Sequence, residues 1–276
     1  MDWRIVGTIA GQELRVNSRN KWTVSFAAVF AALALAISYF GMVTAGEIGF
    51  QGFTRTAASL LNLVLYVVPI VALTMSAVSF TGERGANELL FSQPVARWEI
   101  LTGKICGLFA AVAAATCFGF GLAACVIAGN VGAEGSLIFL AFAGFALLLA
   151  LVFLVIGALV ATYCGSKAKA FGHALFVWFF FVLLYDLLVI GFTFILKEHT
   201  ANQFIFLSLF GNPVDLVRVG SMLALGEPAV FGAAGAALLK FLGGSVPAML
   251  MLLSALVLWI AAPLAAAMRV INRQDL

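Results

Sequence analysis

The chain has 276 residues, 64% of them hydrophobic and only 10% charged, with a mean hydropathy of +1.13. An average soluble domain is about a quarter charged, so this composition excludes a soluble enzyme. The net charge of +3 comes from a directional bias in lysine and arginine placement rather than from a basic patch, and no nucleic-acid partner is expected.

The first elements, in chain order, are a polar leader and an apolar span. Trp3, Val6, Ala10 and Leu14 recur on one side of the leader, opposite Arg4, Glu13 and Arg15. That spacing predicts an amphipathic helix in residues 1–21, lying in the membrane interface. The alternative is a disordered tail. The apolar run 22–43 follows. It is longer than the usual 7–15 residues of a signal-peptide core, so a retained span is expected.

A bilayer core needs about 20 consecutive apolar residues per helix. Windows of that size recur at residues 22–43, 57–80, 105–129, 137–163, 171–196 and 246–268, with none of the alternation of a membrane barrel. The predicted fold is an all-α membrane protein of six transmembrane helices in a single domain, residues 1–276. Small residues Ala27, Ala31 and Ala34 in the first span, and Gly157 with Ala161 in the fourth, suit close helix approach.

Between the second and third spans lies "GANELLFSQPVARWEILTGK", a charged segment between two apolar runs. Helix formers run up to Phe91. Pro94 lacks an N–H donor and breaks or restarts the helix. The remainder reads as an amphipathic helix with Val95, Trp98 and Leu101 on one side. Its Gly103-Lys104 pair is not a phosphate loop, because that needs G-x-x-x-x-G-K-[ST] and Ile105 follows. No ATP site and no catalytic residues are expected in this chain.

Metal chemistry is not expected either. Cys106 and Cys117 share a helix face but stand ~16 Å apart by helical rise. Cys125 and Cys164 add no C-x-x-C pair. His173 and His199 fall on opposite sides of the predicted membrane, and the methionines do not cluster as soft metals require.

Asp186 lies deep in the fifth window, in "FVLLYDLLVIGF", where a carboxylate costs roughly 2.5–3.5 kcal/mol on insertion scales. It is a candidate intramembrane polar site. Two readings stay open: a proton or substrate pathway, or a packing residue satisfied by Tyr163, Thr162 or Asn62. The neighbouring run Trp178, Phe179, Phe180, Phe181 reads as lipid-facing or packing bulk.

Residues 197–245 form a long segment between the fifth and sixth spans. "GNPVDLVRVGSMLALGEP" has Asn212 as N-cap, Pro213 in the first turn, Asp215 just after it and Gly226 past the end, a full set of helix signals. A second short helix is expected over 228–242. Both are expected on the outer surface, partly in the interface, as a lid or as a dock for a partner through Asn212, Pro213, Asp215 and Arg218.

Orientation follows from basic residues, which favour the cytoplasmic side. With the N terminus inside, Arg4, Arg15, Arg19, Lys21, Arg84, Arg97, Lys104, Lys167, Lys169, Arg269 and Arg273 are cytoplasmic, and only Arg55, Lys197, Arg218 and Lys240 lie outside. Both termini and the segment 83–104 are therefore expected in the cytoplasm.

With that arrangement in hand, "ERGANELLFSQPVARWEILTGKI" resembles the corresponding segment of type 2 ABC transporter permeases. The match rests on Glu88, Leu89-Leu90, Pro94, Arg97 and Gly103-Lys104. "GNPVDLVRV" is similar to an Asn-Pro motif of the same family. The resemblance implies a permease driven by two separate cytoplasmic ATPase subunits that bind ATP and magnesium, docked through Glu83, Arg84, Asn87, Glu88, Phe91, Pro94, Arg97 and Trp98. "GEIGFQGFTRTAASLLNLVLYVVPIVAL" and "NPVDLVRVGSMLALGEPAVFGAAGAALLKFLG" further resemble the permeases of nitrous-oxide-reductase maturation. That likeness implies a homodimer in a bacterial inner membrane with NosF-like ATPases, a NosD-like periplasmic protein and a role in building a copper site. Other readings are an export permease for another small or lipid-like substrate, a proton-coupled carrier using Asp186, and a passive membrane anchor.

Overall fold

The computed structural model describes residues 2–40, 52–81, 95–196, 198–225 and 241–273. Those residues are almost wholly helical, with no strand among them. Helix α1 covers Trp3–Ser18, α2 Lys21–Phe40, α3 Phe53–Phe80, α4 Arg97–Asn130 and α5 Ser136–Thr162. The fifth span is α6 (Lys167–Phe179), a π-helical turn (Phe180–Leu184) and α7 (Tyr185–Thr193). Then come α8 (Glu198–Ser208), a 3-10 turn (Leu209–Gly211), α9 (Pro213–Ala224) and α10 (Ser245–Arg273). Six of these runs are long and apolar enough to cross a membrane, one over each expected span, with the third starting eight residues before its expected window.

The core is centred on α3 and α5. Leu60, Leu65, Leu73, Phe142, Phe153 and Leu154 are fully buried there. A Cβ added at Gly157 would come within 2.8 Å of the Leu73 carbonyl oxygen and the Ser76 side chain, so only glycine allows the two helices this approach. Ser76 Oγ donates to the Leu154 carbonyl at 2.6 Å, which satisfies its hydroxyl across the same contact. Ala31 and Ala34 are buried as well, and Gly119 of α4 packs against Phe30 and Ala31 of α2.

Helix α1 forms as expected, with Asp2 as its N-cap accepting from the Arg4 N–H. Its sides differ from the sequence reading. Val6, Ile9, Ala10, Glu13 and Asn17 face the protein, and Val6 and Asn17 are buried. A Cβ at Gly103 would strike Ile9, and one at Gly107 would strike the Ala10 carbonyl and Glu13. The Gly103 of the Gly-Lys pair thus admits α1 against α4. Trp3 and Trp22 stand out at 71% and 76% exposed, suited to a membrane–water boundary.

A second difference concerns the third span. The helix begins at Arg97, with Ala96 as N-cap, and runs unbroken to Asn130. Residues 97–104 are therefore its first two turns rather than a separate helix started by Pro94. Glu83, Arg84, Asn87, Glu88, Phe91 and Pro94 lie outside the described residues, as does most of the expected helix over 228–242.

Candidate functional site

Two polar sites emerge, one at each end of the bundle. At the end carrying both chain termini, α1 meets the last turn of α3 and the first turns of α4. Glu13 is the hub. It accepts from Ser79 Oγ at 2.5 Å and from Asn17 Nδ2 at 2.9 Å. Lys104 is buried; its Nζ donates to the Ser79 carbonyl at 3.1 Å and sits 5.1 Å from the centre of the Phe80 ring. Buried Glu99 accepts from the Asp2 backbone N–H at 2.8 Å. Glu13 faces inward, against its amphipathic assignment, where it takes the Ser79 hydroxyl and the Asn17 amide as donors and its charge acts on the buried Lys104.

Arg97 and Trp98, expected as docking contacts, open α4 at this same end. Arg97 Nη1 donates to the Ile271 carbonyl at 2.5 Å, satisfying a carbonyl in the last turn of α10 where a cation also suits the helix dipole. Trp98 is half-buried. The described start of α4 thus lies beside α1 and the end of α10.

At the far end, the structure joins residues that sequence reasoning kept apart. Arg218 Nη1 bonds Asp215 at 2.6 Å and Asp186 at 3.3 Å. Asn212 Nδ2 donates to the other Asp215 oxygen at 2.9 Å and to the Phe181 carbonyl at 3.0 Å. Tyr185 Oη donates to the Ser208 carbonyl at 2.6 Å. Asp186 is therefore partnered by Arg218, not by the candidates proposed from sequence. Asn62 is exposed and Thr162 donates to Leu159. Burial raises the Asp215 carboxyl, to about 7; Arg218 opposes that shift and Asp186 adds to it.

These contacts fix the depth of the segment after the fifth span. Helical rise puts Phe181 about 18 Å from Thr193 at the end of α7. Asn212 meets Phe181, so α8 folds back along the fifth span and α9 rises again beside it. Trp259 of α10 closes the base: its Nε1 donates to the Phe210 carbonyl at 3.0 Å, and its ring lies 5.4 Å from that of Phe181. The helix signals of α9 hold, since the Asn212 side chain caps the Val214 N–H and Pro213 opens the helix. Its location does not match the expectation. Asn212, Pro213, Val214, Leu216 and Val217 are buried, and α9 packs against α5 and α10 rather than on an outer surface.

No group of three or more His, Cys, Asp or Glu able to hold a metal occurs among the described residues. Cys164 Sγ comes within 3.8 Å of His173 Nδ1, which also meets the Lys169 carbonyl at 2.7 Å.

Comparison with known proteins fits this architecture. Residues 7–276 match the model of the ABC-2 family transporter proteins. The chain belongs to that family. It is 34% identical over 279 residues to the probable ABC transporter permease protein NosY of Pseudomonas aeruginosa PAO1, covering 99% of each chain. It is also 36% identical over 221 residues to the probable ABC transporter permease protein NosY of Stutzerimonas stutzeri, covering 78% of this chain and 80% of the relative. The chain is thus a multi-pass permease subunit of an ABC transporter, similar to NosY, and a permease of this kind works with ATPase partner subunits.

Proposed function

We propose that this chain is the membrane half of a machine in which a separate pair of NosF-like ATPases acts through segment 83–104. The carrying observation is the family membership together with where that segment sits. Its described part, residues 95–104, opens α4 beside α1, the last turn of α3 and the end of α10, so a push there bears on these helices together. Glu83, Arg84, Asn87, Glu88, Phe91, Pro94, Arg97 and Trp98 form the docking surface, ATP and magnesium stay with the ATPase, and this chain carries no catalytic group. The bias of basic residues supports a cytoplasmic side for this end, and the family supports a bacterial inner membrane. Likeness to NosY over the whole chain supports a role in copper-site maturation of nitrous-oxide reductase, with a NosD-like periplasmic partner at the far end. Asn212 and Pro213 are enclosed by the chain itself, so that partner meets the exposed residues around them.

A homodimer is favoured by one feature of the far site. Asp186 and Arg218 remain 34% and 29% exposed, at a depth where lipid would surround them. Ionised side chains at that depth face protein or a water-filled cavity, so this face of the fifth span meets a second copy or a vestibule between copies.

The test is purification of the tagged chain from membranes. A stoichiometric nucleotide-binding subunit is expected, and its absence in gentle detergent sinks the proposal. Trp98→Ala is the cleaner probe, because Arg97→Glu also removes the bond to Ile271. Nitrous-oxide reductase made without the chain should then lack copper, while a copper-complete enzyme would point to another cargo.

A further inference from the structure

The fifth span is unevenly held. Helix α6 buries Ala170 and Ala174, and the π-helical turn buries Val182, but α7 buries no residue. Leu187, Leu188, Ile190 and Phe192 of α7 are all exposed. Helix α8 continues it, joined by the Tyr185–Ser208 bond and by a ring contact of 6.1 Å between Phe192 and Phe204. Phe206 of α8 meets Phe241 at 5.1 Å. Among the described residues, α7 and α8 form an arm with little packed apolar surface, which is the physical mark of a segment that opens locally.

Both roots of this arm are irregular, and both are pinned by one side chain. The arm leaves the span at the π-helical turn Phe180–Leu184 and returns at the 3-10 turn Leu209–Gly211. Such turns interrupt the regular helical ladder and serve as hinges. Trp259 stacks edge-on against Phe181 at the first root and bonds the Phe210 carbonyl at the second. Asn212 ties the two roots together through the Phe181 carbonyl. Beyond the roots the arm meets α9 through Asp186, which Arg218 holds while bonded to Asp215. Helix α9 is itself fixed: Val214, Leu216 and Val217 are fully buried, and Gly220 lies against Phe145.

We propose that Arg218 and Asp186 form a releasable latch, which holds the arm α7–α8 against the fixed helix α9, and that the arm swings about the two roots pinned by Trp259. Arg218 keeps its bond to Asp215 on release, so the guanidinium retains a hydrogen-bond partner. Asp186 is thus a positioning residue whose part is to set the closed state.

The test reads the arm directly. In a chain whose four cysteines are replaced by serine, spin labels are placed at Gly191→Cys on the arm and Leu140→Cys on α5, both exposed sites. Labelled chain is diluted with unlabelled chain in nanodiscs, so the distance is measured within one copy. A single narrow distance is expected in the parent. Asp186→Asn should raise a longer-distance population about tenfold, the scale of one charge-assisted bond, and Asp186→Glu should not. Should Asp186→Asn fail to assemble, Arg218→Gln cuts the same contact from the fixed side. An unchanged distribution in the variants that cut the contact overturns the latch, as does the same longer-distance population in Asp186→Glu. The reading needs no ATPase, so it stands or falls separately from the proposed function.

Discussion

Arg218 shows most directly how position overrides sequence context. In the linear chain it is a basic residue of a polar-looking stretch after a span, and Asp186 is a lone acid within one. Neither implies the other, because the segment that joins them turns back along the span. A buried or half-buried carboxylate without a partner is costly, and Arg218 offsets part of that cost for two acids at once. Asp186→Asn is therefore expected to impair the permease in vivo, while Asp186→Glu retains most of its function; measuring both against wild-type growth or reductase maturation checks this. Asp215 adds a pH dependence. Its carboxyl is raised by burial to about 7, facing Arg218 and the Asp186 acid across from it, while α5 packed behind α9 has no charged residue. A raised carboxyl means the folded chain holds the proton that the unfolded chain gives up. Its stabilising effect is full below the ordinary carboxylate range and is lost as pH rises through about 7. Thermal unfolding of the purified chain should occur at lower temperature at about pH 8.5 than at about pH 5.5, with a smaller difference in Asp215→Asn.

At the scale of elements, local signals were legible and tertiary ones were not. The Asn212 cap, Pro213 in the first turn and the six apolar runs are properties of short windows, and all of them hold. The π-helical turn in the fifth span has no such window; it follows from Phe181 and Asn212 meeting across the fold. Pro94 suggested a helix start, yet the helix begins at Arg97, since the chain gains a longer ladder by joining the third span directly. Helix α1 was legible as amphipathic, but its polar side was misassigned at Glu13, whose partner Ser79 lies far along the chain. Gly107 makes that packing testable. A valine there would place its Cβ 2.5 Å from the Ala10 carbonyl oxygen, so α1 must lift away from α4. Gly107→Val should cost about 1–3 kcal/mol, read as a lower unfolding temperature and faster proteolysis near the N terminus. Gly121→Val, where a Cβ meets nothing within 4 Å, should leave both unchanged.

For the whole molecule, the arrangement has two working ends joined by long, closely packed helices. Helices α3 and α5 pass from the Glu13–Lys104 cluster to the α9 cradle through a core locked by Gly157 and Ser76, so the two ends move as parts of one body. What the protomer leaves open is the face of the fifth span around Asp186. Leu183, Asp186 and Ile190 fall close to one stripe of that helix by their spacing, whereas Leu188 points about opposite. If the stripe meets a second copy, Ile190→Cys in a cysteine-free chain should form an intermolecular disulfide under mild oxidation, seen as a doubled mass on a non-reducing gel. Leu188→Cys should not. If instead a water-filled vestibule separates the copies, Ile190→Cys stays monomeric but reacts with a membrane-impermeant thiol reagent, and Leu188→Cys remains protected by lipid. Cross-linking at Leu188 with none at Ile190 would place the second copy on the other side of the span. The ion pair would then face lipid, an arrangement its desolvation cost makes unstable.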